Sequence, residues 1–158
     1  MYQTSLETPL GTTVICGDEK GISSITVSDK KSEDISQELP LFMQDAVVQL
    51  QEYFSGKRKQ FSLKLNPEGT DFQKKVWNEL LTITFGKTVS YKELSLRMGD
   101  LKSIRAVAAA NGKNPLWIVV PCHRVIGSDG SLTGYAGGLW RKKWLLEHEN
   151  PLLQTSLF

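Results

Sequence analysis

Trp117-Ile118-Val119-Val120-Pro121-Cys122-His123-Arg124 is the stretch on which the reading of this chain turns. An apolar run predicts a buried strand, and the strand would deliver a cysteine to its end. The next residue is one of two histidines in the protein. Thiolate is the reactive form of cysteine, and a neighbouring imidazole can take its proton or stabilise its charge. The pair therefore suggests an activated thiol, open at this point to several chemistries.

Working outward, 158 residues suffice for one main domain with a small appended one. No segment approaches the roughly 18 consecutive apolar residues of a membrane span. The start, Met1-Tyr2-Gln3-Thr4-Ser5, lacks the basic and apolar regions of a secretory signal, so a cytoplasmic protein is expected. Cys16 and Cys122, with His123 and His148, form no recognisable zinc spacing; neither metal nor cofactor is expected. Cys16 follows Val14-Ile15 and reads as an inert thiol in a strand. The net charge is only +2, but Arg97, Lys102, Arg105, Lys113, Arg124, Arg141, Lys142 and Lys143 crowd the C-terminal half. That bias is compatible with nucleic acid.

Residues 1 to 30 read as short strands separated by turns at Thr8-Pro9-Leu10-Gly11 and Gly17–Gly21, followed by an exposed loop over 28–38. From Leu41 the spacing Phe42, Ala46, Val47, Leu50, Tyr53, Phe54 is helical and stops before Ser55-Gly56. Asn66-Pro67-Glu68-Gly69 divides the chain into two domains, 1–66 and 67–158. Thr70-Asp71-Phe72-Gln73 is a capping box, and Phe72, Val76, Leu80 and Ile83 fall on one helical face. A second box, Ser90-Tyr91-Lys92-Glu93, opens a short helix ended by Gly99. Ser103 is the expected N-cap of a helix through Ala110. Two short helices with a tight connection suggest a helix-turn-helix. The run Ala108-Ala109-Ala110 either packs tightly on another helix or lets the backbone approach a foreign surface closely.

These residues carry a resemblance. Ile118–Val125, Gly134-Tyr135-Ala136-Gly137-Gly138 and Leu145-Leu146-Glu147-His148-Glu149 resemble the O6-alkylguanine-DNA alkyltransferases. The match runs back through Arg105-Ala106-Val107 and Asn114-Pro115 to Phe85-Gly86-Lys87 and Ser90-Tyr91. It implies an α/β (α+β) fold: a small N-terminal antiparallel sheet with a helix, ribonuclease H-like, then a mainly helical domain with a winged helix-turn-helix-like motif. It also implies repair of double-stranded DNA containing alkylated guanine, chiefly O6-methylguanine, by a monomer that acts once.

By that resemblance Cys122 is the nucleophile, His123 its base through a water, and Glu149 the orienter of the imidazole. Tyr91 donates a proton to guanine N3. Asn114 ties the helix-turn-helix to the active-site loop. Carbonyls of Cys122 and Val125 and the N–H of Ala136 read the base, with Tyr135, Gly137 and Trp117 around the pocket. Arg105 fills the space left by an extruded base, while Ala106, Ala109, Ala110 and Arg124 meet DNA. The minor groove is narrow and favours small residues there. An inactive alkyltransferase-like damage-binding protein is the nearest alternative, but in that class tryptophan replaces the cysteine. A helix-turn-helix regulator should carry base-reading side chains where the alanines stand, and a cysteine hydrolase should turn over.

Overall fold

The computed structural model describes residues 1–31, 36, 38–132, 134–135 and 137–152. Part of the expected loop over 28–38, and Ala136, lie outside these. The chain forms an α/β fold of two compact units, one of residues 1–68 with 115–119, the other of residues 69–114 with 120–158.

In the first unit, β1 (Tyr2–Thr8), β2 (Gly11–Asp18) and β3 (Gly21–Ser28) make an antiparallel sheet in the order β1-β2-β3. The hairpins place Thr8 opposite Gly11 and Asp18 opposite Gly21. Strand side chains alternate between faces, and Thr4, Leu6, Thr13, Ile15, Ile22 and Ile25 are buried. Helix α1 (Leu41–Phe54) lays Met43, Ala46, Leu50 and Tyr53 into the same core.

The predicted strand over Trp117–Val120 does not form. Leu116 makes one parallel bridge to Ile25, with Ile25 N–H donating to the Pro115 carbonyl and Trp117 N–H to the Ile25 carbonyl. The chain then turns. Ile118 lies at φ 70°, a left-handed conformation that a β-branched residue rarely adopts, and Val119 N–H donates to Trp117 O at 2.8 Å. This is a γ-turn. The run is apolar because it is buried, and buried turns share that signature with buried strands.

The second unit begins with α2 (Asp71–Leu80), opened by the complete Thr70/Gln73 box. Its inward face differs from expectation. Phe72 is 37% exposed, and Trp77 takes the inner position with Val76 and Leu80. The Trp77 indole N–H donates to the Ala110 carbonyl at 2.8 Å, a partner that a phenylalanine could not use. Helix α3 (Tyr91–Arg97) follows the two-residue strand β4 (Val89–Ser90), with the Ser90 hydroxyl accepting from Glu93 N–H. Gly99, at φ 100°, takes a left-handed conformation just past the helix end. Before α4 (Ile104–Gly112), residues Leu101–Ser103 form a 3₁₀ turn. Asp100, not Ser103, supplies the capping oxygen, to Lys102 N–H, because the turn begins three residues early. Strand β5 (Val125–Ile126) pairs in parallel with β4, and α5 (Leu139–Glu149) closes the unit.

Candidate active site

Pro121 has φ −83° and ψ 64°, and Cys122 N–H donates back to the Val120 carbonyl at 2.8 Å. This inverse γ-turn leads into a 3₁₀ turn, Cys122–Arg124. Pairing of Val125 with Val89, and of Ile126 with Ser90, then fixes the loop beside the start of α3, where Tyr91 stands. Backbone pairing therefore joins two segments more than thirty residues apart.

Cys122 is 8% exposed. Burial pushes its thiol up, partly offset by hydrogen bonding from Asn114, the positive charge of Lys142 and hydrogen bonding from Tyr135. At rest the sulfur holds its proton, so attack requires a base. His123 is completely buried, and that burial lowers its pKa despite the opposing pull of Glu149. The imidazole is therefore neutral at pH 7. Its Nε2 lies 2.7 Å from Glu149 Oε2. Burial would raise the Glu149 carboxyl, but hydrogen bonds from His123 and Arg124 and the charge of the Arg124 guanidinium hold it well below the usual range. A carboxylate only accepts, so Nε2 carries the imidazole proton and Nδ1 presents its lone pair. Nδ1 has no protein partner among the described residues.

Arg124 departs from the DNA-facing role expected of it. It is buried, its Nε and Nη2 fork onto Glu149 at 2.7 and 3.0 Å, and Nη1 donates to Ile83 O at 2.6 Å. Its charge is needed inside, because Glu149 is itself buried and costly without a cation. Arg141 and Lys142 are buried as well. The basic bias is thus divided: Arg97, Lys102, Arg105 and Lys113 are exposed on or beside α3 and α4, while these three point inward.

Asn114 donates through Nδ2 to Val120 O at 2.7 Å as well as acting on the thiol. Asn111, which sequence reasoning missed, donates to the Cys122 carbonyl at 3.4 Å. Its signal was its place on the inner face of α4, one turn after Val107. From sequence Lys142 counted only toward the basic bias of the C-terminal half. Its ammonium lies 5.7 Å from the Tyr91 ring centroid and 5.9 Å from that of Tyr135.

Tyr91, Arg105, Asn111 and Tyr135 line a cavity of about 510 Å³ together with Ile104, Ala108, Gly112 and Gly134. Arg105, Ala106 and Ala109 are exposed, as a contact surface requires. Ala110 is not: at 2% exposure it packs inward and receives Trp77, which corrects its assignment to the DNA face. The alanine run thus packs inward at Ala110 and stays open to solvent at Ala109, on opposite sides of one helix. Gly137 is half-buried and its carbonyl accepts from Arg141. Val125 is buried in β5. Trp117 belongs to the first unit, buried with its ring 6.1 Å from that of Phe54.

Comparison with known proteins agrees with this geometry. Residues 71–151 match the 6-O-methylguanine DNA methyltransferase, DNA binding domain, and residues 1–67 match the ribonuclease-like domain of the same family. A methylated-DNA–protein-cysteine methyltransferase of Methanosarcina barkeri is 48% identical, over 98% of this chain and 100% of its own length. One from Mycobacterium tuberculosis is 40% identical, over 99% and 97%. The solved structure of Mycobacterium tuberculosis OGT in complex with DNA superposes with a TM-score of 0.86 at 40% identity, covering 96% of this chain and 94% of that one. An O6-methylguanine DNA methyltransferase from Methanococcus jannaschii gives 0.69 at 26%, covering 98% and 97%. With a buried cysteine, a neutral histidine and an ionised glutamate in place, the chain belongs to the methylated-DNA–protein-cysteine methyltransferase family.

Proposed function

We propose that this chain repairs double-stranded DNA by direct reversal, taking the alkyl group of O6-alkylguanine onto Cys122 in a single turnover. The observation that carries the reading is the convergence of two sets of residues. Asn111 lines the cavity and also donates to the Cys122 carbonyl, while Glu149 holds a neutral His123 next to that cysteine in the chain.

Cys122 loses its proton toward His123 Nδ1, across a bridging water, and the sulfur attacks the alkyl carbon. The carbon–O6 bond breaks, its electron pair stays with the guanine, and the Tyr91 hydroxyl supplies a proton at N3. The proton taken up by His123 then returns through solvent to Tyr91, the guanine shifts its new proton to N1, and the products are S-alkylcysteine and unmodified guanine. A thioether does not hydrolyse in water, so the protein is consumed. The target base must leave its stack, at about a few kcal/mol. Arg105, exposed on the cavity rim, fills the gap, and the small side chains of Ala106 and Ala109 let α4 approach the minor groove. The Val125 carbonyl and the Ala136 N–H complete base recognition, with Gly137 leaving room for the alkyl group. Residues 1–66 form the ribonuclease-like domain, residues 67–158 carry the transfer, and the protein works as a cytoplasmic monomer.

The test uses duplex DNA carrying labelled O6-methylguanine. One label per molecule on Cys122, lost in Cys122→Ala with DNA binding retained, is the expected result. Transfer by Cys122→Ala, or repeated turnover, would overturn the mechanism.

A further inference from the structure

Lys142 is fully buried (0% exposed), an unusual place for an ammonium, and the proposed mechanism does not use it. It lies on α5 seven residues before Glu149, two helical turns away and hence on the same face. One face of one helix thus carries both the carboxylate that holds His123 and a cation that acts on Cys122. The rings over which the ammonium lies come from two other segments, Tyr91 from α3 and Tyr135 from the segment before α5, and its charge acts on Cys122 and His123 of the active-site loop. On α5 itself, the Glu149 carboxylate is engaged by His123 and Arg124.

We propose that Lys142 is a positioning residue that stabilises the Cys122 thiolate, its buried ammonium being held against the faces of Tyr91 and Tyr135. The faces of both rings are electron-rich and attract a cation within about 6 Å. The two tyrosines thereby favour a charge that burial opposes. Burial pushes Lys142 down to about 8, which still leaves it protonated at pH 7. A charge in a water-poor site acts on a developing thiolate far more strongly than one in solvent. His123 removes the thiol proton, and Lys142 makes the anion that results more stable. The division of labour rests on Cys122 being the acceptor.

The test reads the thiol directly, without DNA. Iodoacetamide alkylation of Cys122, resolved from Cys16 by peptide mass, is followed against pH in wild type, Lys142→Met and Lys142→Arg. Loss of the charge should move the Cys122 midpoint up by about one pH unit and slow labelling at pH 7 about tenfold; arginine should restore most of both. Transfer from O6-methylguanine should fall by a similar factor at pH 7 and recover in alkali. A Lys142→Met midpoint equal to wild type, or a loss of transfer equal at every pH, would overturn the proposal. If wild type shows the thiol behaviour but transfers nothing from DNA, the repair reading fails and the Lys142 role stands.

Discussion

Strand β2 and the Cys122 loop each carry one of the protein's two cysteines, and they treat them oppositely. In β2 the ladder to β1 and β3 occupies the backbone, and the half-buried Cys16 thiol donates to Gln3 Oε1 at 3.5 Å. In the loop two turns bend the chain so that Asn114, Tyr135 and Lys142 reach Cys122, with His123 beside it. Reactivity follows from the groups that irregular backbone brings to the sulfur. Regular pairing keeps such groups in register and apart. Exchanging the two sites tests this most severely: Cys122→Ala should abolish transfer, while Cys16→Ser should leave the rate unchanged within about twofold. A large loss in Cys16→Ser, measured by label incorporation, would break the contrast.

Glu149→Gln strips the loop of its central anion. The buried Arg124 then lacks a counter-charge, and breaking such a pair costs about 3 to 5 kcal/mol. Glutamine can also donate to Nε2, which allows the wrong imidazole tautomer, and transfer should fall about a hundredfold. Urea denaturation and single-turnover rates separate the two effects. A stable variant with an unchanged rate would mean that the His123–Glu149 contact is packing alone.

The same pair sets a pH dependence that β2 does not share. His123 and Glu149 both titrate lower in the folded protein than their ordinary values of 6.5 and 4.5. Below those values the unfolded chain binds more protons than the folded one, so stability rises with pH. The His123 contribution is complete above about 6.5 and declines as the solution is acidified past it, and the Glu149 contribution declines below about 4.5. The urea midpoint should therefore be lower at pH 5.5 than at pH 7.5. An equal or higher midpoint at pH 5.5 would contradict the neutral, buried imidazole.

What could be read from sequence follows the same division. The hairpins, the limits of α1 and the Thr70 box depend on residues within a few positions of one another, and the chain displays them directly. Glu149 lies 26 residues from His123, and only the family resemblance brought it into the site. Local patterns misled where two structures share one signature. An apolar run fits a strand or a buried turn, and left-handed Ile118 decided for the turn. Phe72 and Trp77 each fit an inward face with Val76 and Leu80, and the Ala110 carbonyl decided for Trp77. Arg124 and Lys142 both counted toward a basic bias compatible with nucleic acid, because composition records a charge without its direction. The seven-residue step from Lys142 to Glu149 was the available signal.

Helix α4 repeats the contrast on a smaller scale, with one residue type on two faces. Ala110→Leu overfills the packing around Trp77 and should cost about 1 to 3 kcal/mol, with DNA affinity of the folded protein little changed. Ala109→Leu should leave stability within about 0.5 kcal/mol, yet weaken DNA binding about tenfold by blocking close approach of the helix. Thermal melts and binding titrations on the same two variants should give this crossed pattern. Matching losses in both would mean that α4 does not face the duplex.

The smallest test compares two hydroxyls near helix starts. The Thr70 side chain accepts from Gln73 N–H, and Gln73 returns a bond to Thr70 N–H. The Ser103 hydroxyl instead donates to the Asp100 carbonyl at 2.6 Å and caps nothing. Removing Thr70 leaves an orphan helix N–H, and Thr70→Ala should lose about 1 kcal/mol. Ser103→Ala gives up one exposed bond that water replaces, a change of about 0.5 kcal/mol or less. Equal losses in urea denaturation would show that helix α4 does depend on a Ser103 cap, and that the 3₁₀ turn before it is not a separate element in solution.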